Sequence, residues 1–143
     1  MLRISAGTAI FPNDDRWPDL AAKLHWQGEW GQAYLSGIVR QIRIDTGATA
    51  LGTVPAGVRS QKWGGALYAS ARLRTFGSDN VRIGALYGNA IGRYIAGNSF
   101  KDGVVDSSGQ IQLLRSWAAY GAYQHWWNNN WHASFAVTHA QTN

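Results

Sequence analysis

The sequence predicts an all-β protein built as an antiparallel up-and-down sheet of about six strands, and three observations predict it. Apolar and polar residues alternate with a period of two along most of the chain, the pattern of half-buried strands. The composition joins 17 Gly, eight Trp, six Tyr and four Phe to only three Pro, which suits many strands with aromatic anchors and not a helix bundle. No apolar run approaches the roughly 20 residues of a membrane-spanning helix. If this chain crosses a bilayer it must do so with strands, because lipid leaves no other way to satisfy the backbone.

After a polar, turn-like lead through Asn13, Asp14, Asp15, Arg16, Trp17, Pro18 and Asp19, the first strand opens at Leu20. Leu20, Ala22, Leu24 and Trp26 share one face, with Ala21, Lys23, His25 and Gln27 on the other. The run Gly28-Glu29-Trp30-Gly31 reverses the chain. A second strand sets Ala33, Leu35, Gly37 and Val39 against Tyr34, Ser36, Ile38 and Arg40 and continues to about Ile44. From Asp45 to Arg59 the chain is rich in Gly and lacks periodicity, so a long loop is expected.

The third strand, Ser60 to Thr75, puts Trp63, Gly65, Leu67, Ala69, Ala71 and Leu73 opposite Tyr68, Ser70, Arg72 and Arg74. Gly77-Ser78-Asp79-Asn80 makes the next tight turn. A fourth strand alternates Val81, Ile83, Ala85 and Tyr87 with Arg82, Gly84, Leu86 and Gly88. Ala96 to Gln110 reads as a second long loop, and a fifth strand runs from about Ile111 to Trp127. Its two faces, Leu114, Ala118, Tyr120 and Ala122 against Arg115, Trp117, Gly121 and Tyr123, are too alike for periodicity to say which is apolar. Asn128-Asn129-Asn130 leads into a sixth strand with Trp131, Ala133, Phe135 and Val137 away from His132, Ser134 and Thr138.

The connections therefore alternate short and long. Short turns on one rim and long loops on the other are the habit of outer-membrane barrels. Each short turn is flanked by large aromatics, Trp26 and Trp30, then Phe76, then Trp126, Trp127 and Trp131. Such residues would form an interfacial girdle, where a ring body and a polar edge are both satisfied.

Charge points to the other face. The net charge is +5, which favours anionic partners. Nine cations fall in segments expected to be strands, Lys23, Arg40, Arg43, Lys62, Arg72, Arg74, Arg82, Arg93 and Arg115, while the acids are expected in turns, loops and the lead. A solvated sheet face usually mixes its charges. A single sign on the polar side suits a barrel whose water-filled interior lowers the energy of anions. Lys23, Arg40, Arg72, Arg74 and Arg82 are the expected pore-lining residues. One of the two long loops is expected to fold inward and narrow the mouth.

Other chemistries find little support in the residues. The absence of cysteine excludes disulfides and Cys-ligated metal sites, and His25, His125, His132 and His139 show no ligand spacing, so neither a metal nor a cofactor is expected. Acids confined to loops do not make a rigid general acid–base pair. Ser36, Ser70, Ser116 and Ser134 lack the pattern of a nucleophile elbow, so an outer-membrane hydrolase is a minor reading. The main competing reading is a soluble basic β-barrel or sandwich module that binds acidic polysaccharide or single-stranded nucleic acid. It requires the apolar faces to meet across a dry core. The grouping of tryptophans beside tight turns, away from the mid-strand cations, counts against stacking platforms for nucleic acid.

Several stretches carry a family resemblance. They are Asp14-Asp15-Arg16-Trp17-Pro18-Asp19-Leu20, Trp26-Gln27-Gly28-Glu29-Trp30-Gly31, Ser36-Gly37-Ile38-Val39-Arg40-Gln41, Thr75-Phe76-Gly77, Tyr87-Gly88-Asn89-Ala90-Ile91-Gly92-Arg93-Tyr94 and Ala119-Tyr120-Gly121-Ala122-Tyr123-Gln124-His125-Trp126-Trp127. In this order they resemble the DcaP-like porins of Gram-negative outer membranes. The resemblance implies a sixteen-stranded transmembrane barrel, a homotrimer integral to the outer membrane, that passes small anionic solutes such as dicarboxylates without catalysis, cofactor or nucleic acid. It also implies that the basic lining falls at positions such as Arg40, Arg72, Arg74 and Arg82.

Six strands fall short of the roughly eight needed to close a membrane barrel. Residues 1–143 are therefore expected to form one partial barrel domain, an internal piece of a longer porin with Met1 as an internal start. Met1 to Phe11 lacks the apolar core of a secretory signal. Alone in water, such a piece is expected to aggregate through its edges and its apolar face.

Overall fold

The computed structural model describes residues 4–6, 8–10, 17–50, 54–95, 101–106 and 108–143. The lead at residues 13–16 and the part of the second long connection at 96–100 lie outside the described residues.

The protein is all-β. Two short strands, β1 (Ile4–Ala6) and β2 (Thr8–Ile10), precede four long ones, β3 (Leu20–Gly28), β4 (Gly31–Asp45), β5 (Arg59–Arg74) and β6 (Asn80–Asn89). A 3₁₀ turn at Gly92–Tyr94 leads to β7 (Gly103–Val105) and β8 (Ile111–Leu113), and then come β9 (Arg115–Trp126) and β10 (His132–Thr142). The long strands form one open antiparallel sheet in the order β10-β9-β6-β5-β4-β3, and the short ones form a second sheet in the order β2-β1-β7-β8. The fifth strand starts later than its sequence suggests. Ile111–Leu113 pair with β7 and not with the large sheet, because the chain is still covering the sheet there.

Three tight turns stand on one rim. At the β3–β4 turn Gly28 pairs with Gly31, and only glycine suits position 31, where φ is 134° and a Cβ would lie 2.0 Å from the Arg72 carbonyl oxygen. The β5–β6 turn closes with Asp79 N donating to the Phe76 carbonyl at 2.9 Å and Thr75 N to that of Asp79 at 3.1 Å. In the β9–β10 turn the Asn128 side-chain oxygen accepts from Asn130 N and Trp131 N, the asparagine turn that the triple Asn suggested. At the opposite rim the β4–β5 connection is pinned by Thr46, whose hydroxyl donates to the Pro55 carbonyl at 2.8 Å and accepts from Val58 N at 2.9 Å.

Register decides what each face carries. One row across the sheet reads Leu24, Leu35, Ala69, Ala85, Ala119 and His139, and the next reads Trp26, Ala33, Ala71, Ile83, Gly121 and Val137. This side is apolar over all six strands and open, with Leu24 58%, Leu67 63% and Phe135 70% exposed. Pairing with β6 also fixes the strand whose faces periodicity left ambiguous: Trp117, Ala119, Gly121 and Tyr123 of β9 lie on the apolar side.

The buried core sits on the other side. Ile42 and Ile44 of β4 pack with Val54, Ala90, Val105 and Ile111. Ile91 and Ile95 pack on Ala66, Ile38, Leu86, Ala118 and Ala140. The connection after β6 thus folds back over the polar side of the sheet, turning at Ala90 with φ of 57°, a left-handed conformation uncommon outside glycine.

Candidate functional site

The polar side has three zones, read from the long-loop rim to the short-turn rim. The first is the covered zone, where Arg40 is fully buried. Its Nη1 donates to Asp102 Oδ2 at 3.0 Å and to the Ala90 carbonyl at 2.9 Å, and its Nε lies 3.5 Å from Asp19 Oδ1. Arg40 therefore ties the incoming connection to the wall and does not face open water as the other expected lining residues do. Gly64 makes the approach possible, since a Cβ there would lie 2.5 Å from that of Ala90.

The middle zone is rich in rings and hydroxyls. His25, Tyr34, Ser70, Gly84, Tyr120 and Thr138 form one row. His25 stacks on Tyr34 at 4.4 Å, and Lys23 Nζ sits 4.2 Å from the centre of that ring. The hydroxyls of Tyr68 and Tyr120 lie 3.3 Å apart, and the Tyr120 ring lies over Gly84, where a Cβ would be 2.4 Å from it.

The third zone is cationic. Arg72 and Arg82 face each other across the β5–β6 ladder, Arg74 pairs with Asn80, and Gln32 and Gln27 continue the row. Arg82 is held by amides: its Nε donates to Asn80 Oδ1 at 3.0 Å and its Nη2 to Gln124 Oε1 at 3.1 Å, while Asn80 Nδ2 donates to the same Gln124 oxygen. Among the described residues no carboxylate forms an ion pair with Arg72, Arg74 or Arg82. A pocket of about 220 Å³ beside them is lined by Gln27, Gln32, Arg72, Arg74, Ser78 and Asn80 together with Asp79 and three glycines.

Asp79 turns away from that cluster. Its oxygens accept from Tyr123 Oη at 2.5 Å, from Trp126 N at 2.8 Å and lie 2.7 Å from His125 Nδ1. The Tyr123 hydroxyl, the Trp126 amide and His125 together lower its pKa to about 2. At the other rim Asp106 is lowered to about 2, first by the Ser108 hydroxyl and then by the Gln110 amide.

Of the nine cations singled out in the sequence, Lys23, Arg40, Lys62, Arg72, Arg74 and Arg82 share the polar side. Arg43 and Arg115 lie on the apolar side at its long-loop margin, and Arg93 is in the 3₁₀ turn and not in a strand. Asp45 ends β4 as an acid inside a strand, paired with Arg43 and Arg59.

Trp30, Phe76, Trp127 and Trp131 are exposed at or beside the short turns, and Trp26 is exposed at that end of the apolar side. Trp126 departs from this set. It points to the polar side and packs on His132 at 4.4 Å, since consecutive strand residues face opposite ways and Trp126 is in phase with Gln124.

A second aromatic band escaped the sequence reading. Trp63, Tyr87 and Trp117 are exposed on the apolar side toward the long-loop rim, with Tyr87 opposite Trp117. Its signal was the shared phase of Trp63 and Tyr87 with the apolar residues of their strands.

The four histidines are dispersed, and no cluster of three His, Asp or Glu side chains suited to a metal occurs among the described residues. No described serine hydroxyl is hydrogen-bonded to a histidine. Comparison of the chain with protein-family models, with curated proteins and with solved structures finds no match.

Proposed function

We propose that this sheet is wall from an outer-membrane pore, a passive water-filled channel of the kind the DcaP-like resemblance implies. Lipid covers the apolar side, and the cationic side faces the lumen. The observation that carries this reading is the sidedness of the sheet. A large apolar face spans six strands with none of the described residues packed over it, while the chain's own connection covers the polar face instead. A soluble module would do the reverse, because an apolar face of this extent in water drives association.

Dimensions support the same reading. Each long strand has at least the nine residues of β3, enough for a tilted transmembrane strand. Ten residues separate Trp117 from Trp127. That is about 34 Å along a strand and about 24 Å across a bilayer at a tilt near 45°, close to the height of an outer-membrane apolar band. Arg43, Arg59 and Arg115 stand beyond the upper aromatics, where long cations reach headgroups.

In the lumen the mechanism is electrostatic. Lys23, Arg72, Arg74 and Arg82 lower the energy of anions and raise that of cations, and the connection held by Arg40 narrows the path, with no covalent chemistry and no turnover. The trimer and the full strand number belong to the resemblance. The test is the reversal potential of the complete channel to which this wall belongs, in a planar bilayer under a salt gradient. Anion preference is expected; zero or cation selectivity would refute the lumen assignment of these arginines.

A further inference from the structure

Three arginines on neighbouring positions of one sheet face are an energetic anomaly. Like charges directly opposite one another destabilise a β-ladder, yet Arg72 faces Arg82 with Arg74 two residues on, and no described carboxylate pairs with any of them. The surroundings are organised to keep the charges and not to neutralise them. Asn80 and Gln124 take up Nε and Nη2 of Arg82 and fix the plane of its guanidinium, leaving Nη1 as a free donor. Arg72 and Arg74 keep all of their donors.

Among the described residues no apolar side chain lines the adjoining pocket of about 220 Å³, whose lining consists of amides, Ser78, two guanidinium groups, glycine backbone and Asp79. The one carboxylate is turned toward Tyr123, His125 and Trp126.

From this geometry we infer that Arg72 and Arg74, with Gln27, Gln32 and Asn80, form a discrete subsite for a compact tetrahedral dianion, a phosphoryl or sulfuryl group, with Arg82 adding its charge from across the β5–β6 ladder. The inference rests on the lumen reading and names the solute class for one station within it. The two guanidinium groups of the lining offer fork-shaped donors that match tetrahedral oxyanions. Two uncompensated positive charges in the lining, with that of Arg82 across the ladder, are best balanced by a charge near −2 held on one small group. A dicarboxylate carries the same total charge, but it would have to lay its methylenes against amides and guanidinium groups, in a pocket with no apolar wall to receive them.

The test is a binding measurement that does not depend on conduction. The full chain, refolded into detergent micelles, is titrated calorimetrically with sodium sulfate, inorganic phosphate and succinate at pH 5.5 and 7.5, and the same preparation is assayed in planar bilayers. Saturable sulfate binding is expected to be equal at both pH values. Phosphate should tighten severalfold at pH 7.5 as it gains its second charge, and succinate should bind at least tenfold more weakly than sulfate at pH 7.5. Arg72→Gln with Arg74→Gln should weaken sulfate at least tenfold, whereas Arg59→Gln, at the opposite rim, should leave it unchanged. If the double variant fails to refold, Gln32→Glu serves in its place and should weaken sulfate comparably by adding a negative charge to the same row.

Succinate binding as tightly as sulfate, or sulfate binding indifferent to these substitutions, would overturn the subsite. Anion-selective conductance without saturable sulfate binding would overturn it while leaving the pore reading intact. Saturable binding without any conductance would uphold the site and remove the pore.

Discussion

Arg40 and Arg72 look alike in the sequence, each a basic residue in the polar phase of a strand, but they do different work. Arg40 is buried among Asp102, Asp19 and the Ala90 carbonyl, so Arg40→Ala takes the guanidinium away from a buried acid and should destabilise the fold by about 3–5 kcal/mol. Hydrogen exchange should quicken first in β7 and β8. Adding Asp102→Ala should recover part of the loss, and full additivity of the two changes would contradict the clamp. Asp79 gives a residue-level pH dependence. Its folded pKa, about 2, lies below the ordinary value of 3.8, so its stabilising effect is complete above about pH 4 and fades as the pH falls toward 2. Asp79→Asn should remove that acid-dependent step from unfolding curves, and an unchanged acid profile would mean that the Tyr123 and His125 contacts do not hold the turn.

At the scale of the element, alternation gave the facing of β3, β5, β6 and β10 and of the lower half of β4. It failed in two places for physical reasons. In β9 both phases carry alanine and aromatics, so only pairing with β6 separates them. In the upper half of β4 the phase inverts, from Leu35, Val39 and Arg40 to Gln41, Ile42, Arg43 and Ile44, and the buried residues become Ile42 and Ile44. That inversion was the sequence signal that the connection after β6 covers this stretch of the polar side. The partner itself was not legible, because Arg40 and Asp102 are 62 residues apart and their pairing depends on the folded path. Facing also makes a prediction for the strands. Leu67→Arg, on the apolar side, should cost about 2–4 kcal/mol of stability in lipid near the bilayer midplane and reduce recovery of folded protein from vesicles. Tyr68→Arg, one residue on, should insert normally, and equal behaviour of the two variants would contradict the assigned faces.

For the whole molecule, six strands with two open edges and one apolar face cannot be at ease in water. The pore reading resolves that by giving the apolar side to lipid and the cationic side to the solute path. Replacing Arg72 and Arg74 by Glu should weaken the anion preference in a salt gradient, and unchanged selectivity would place them away from the path. What touches the Leu, Val and Ala side decides between lipid and protein cover, and spin-label accessibility along β5 measures this directly. With single cysteines introduced in turn from Leu67 to Leu73 in the full chain reconstituted in vesicles, a period of two is expected. Odd positions such as Leu67, Ala69 and Ala71 should be reached by oxygen dissolved in lipid, and even positions such as Tyr68, Ser70 and Arg72 by a water-soluble nickel complex. Odd positions open to nickel and closed to oxygen would mean that water or protein, and not lipid, lies against this face.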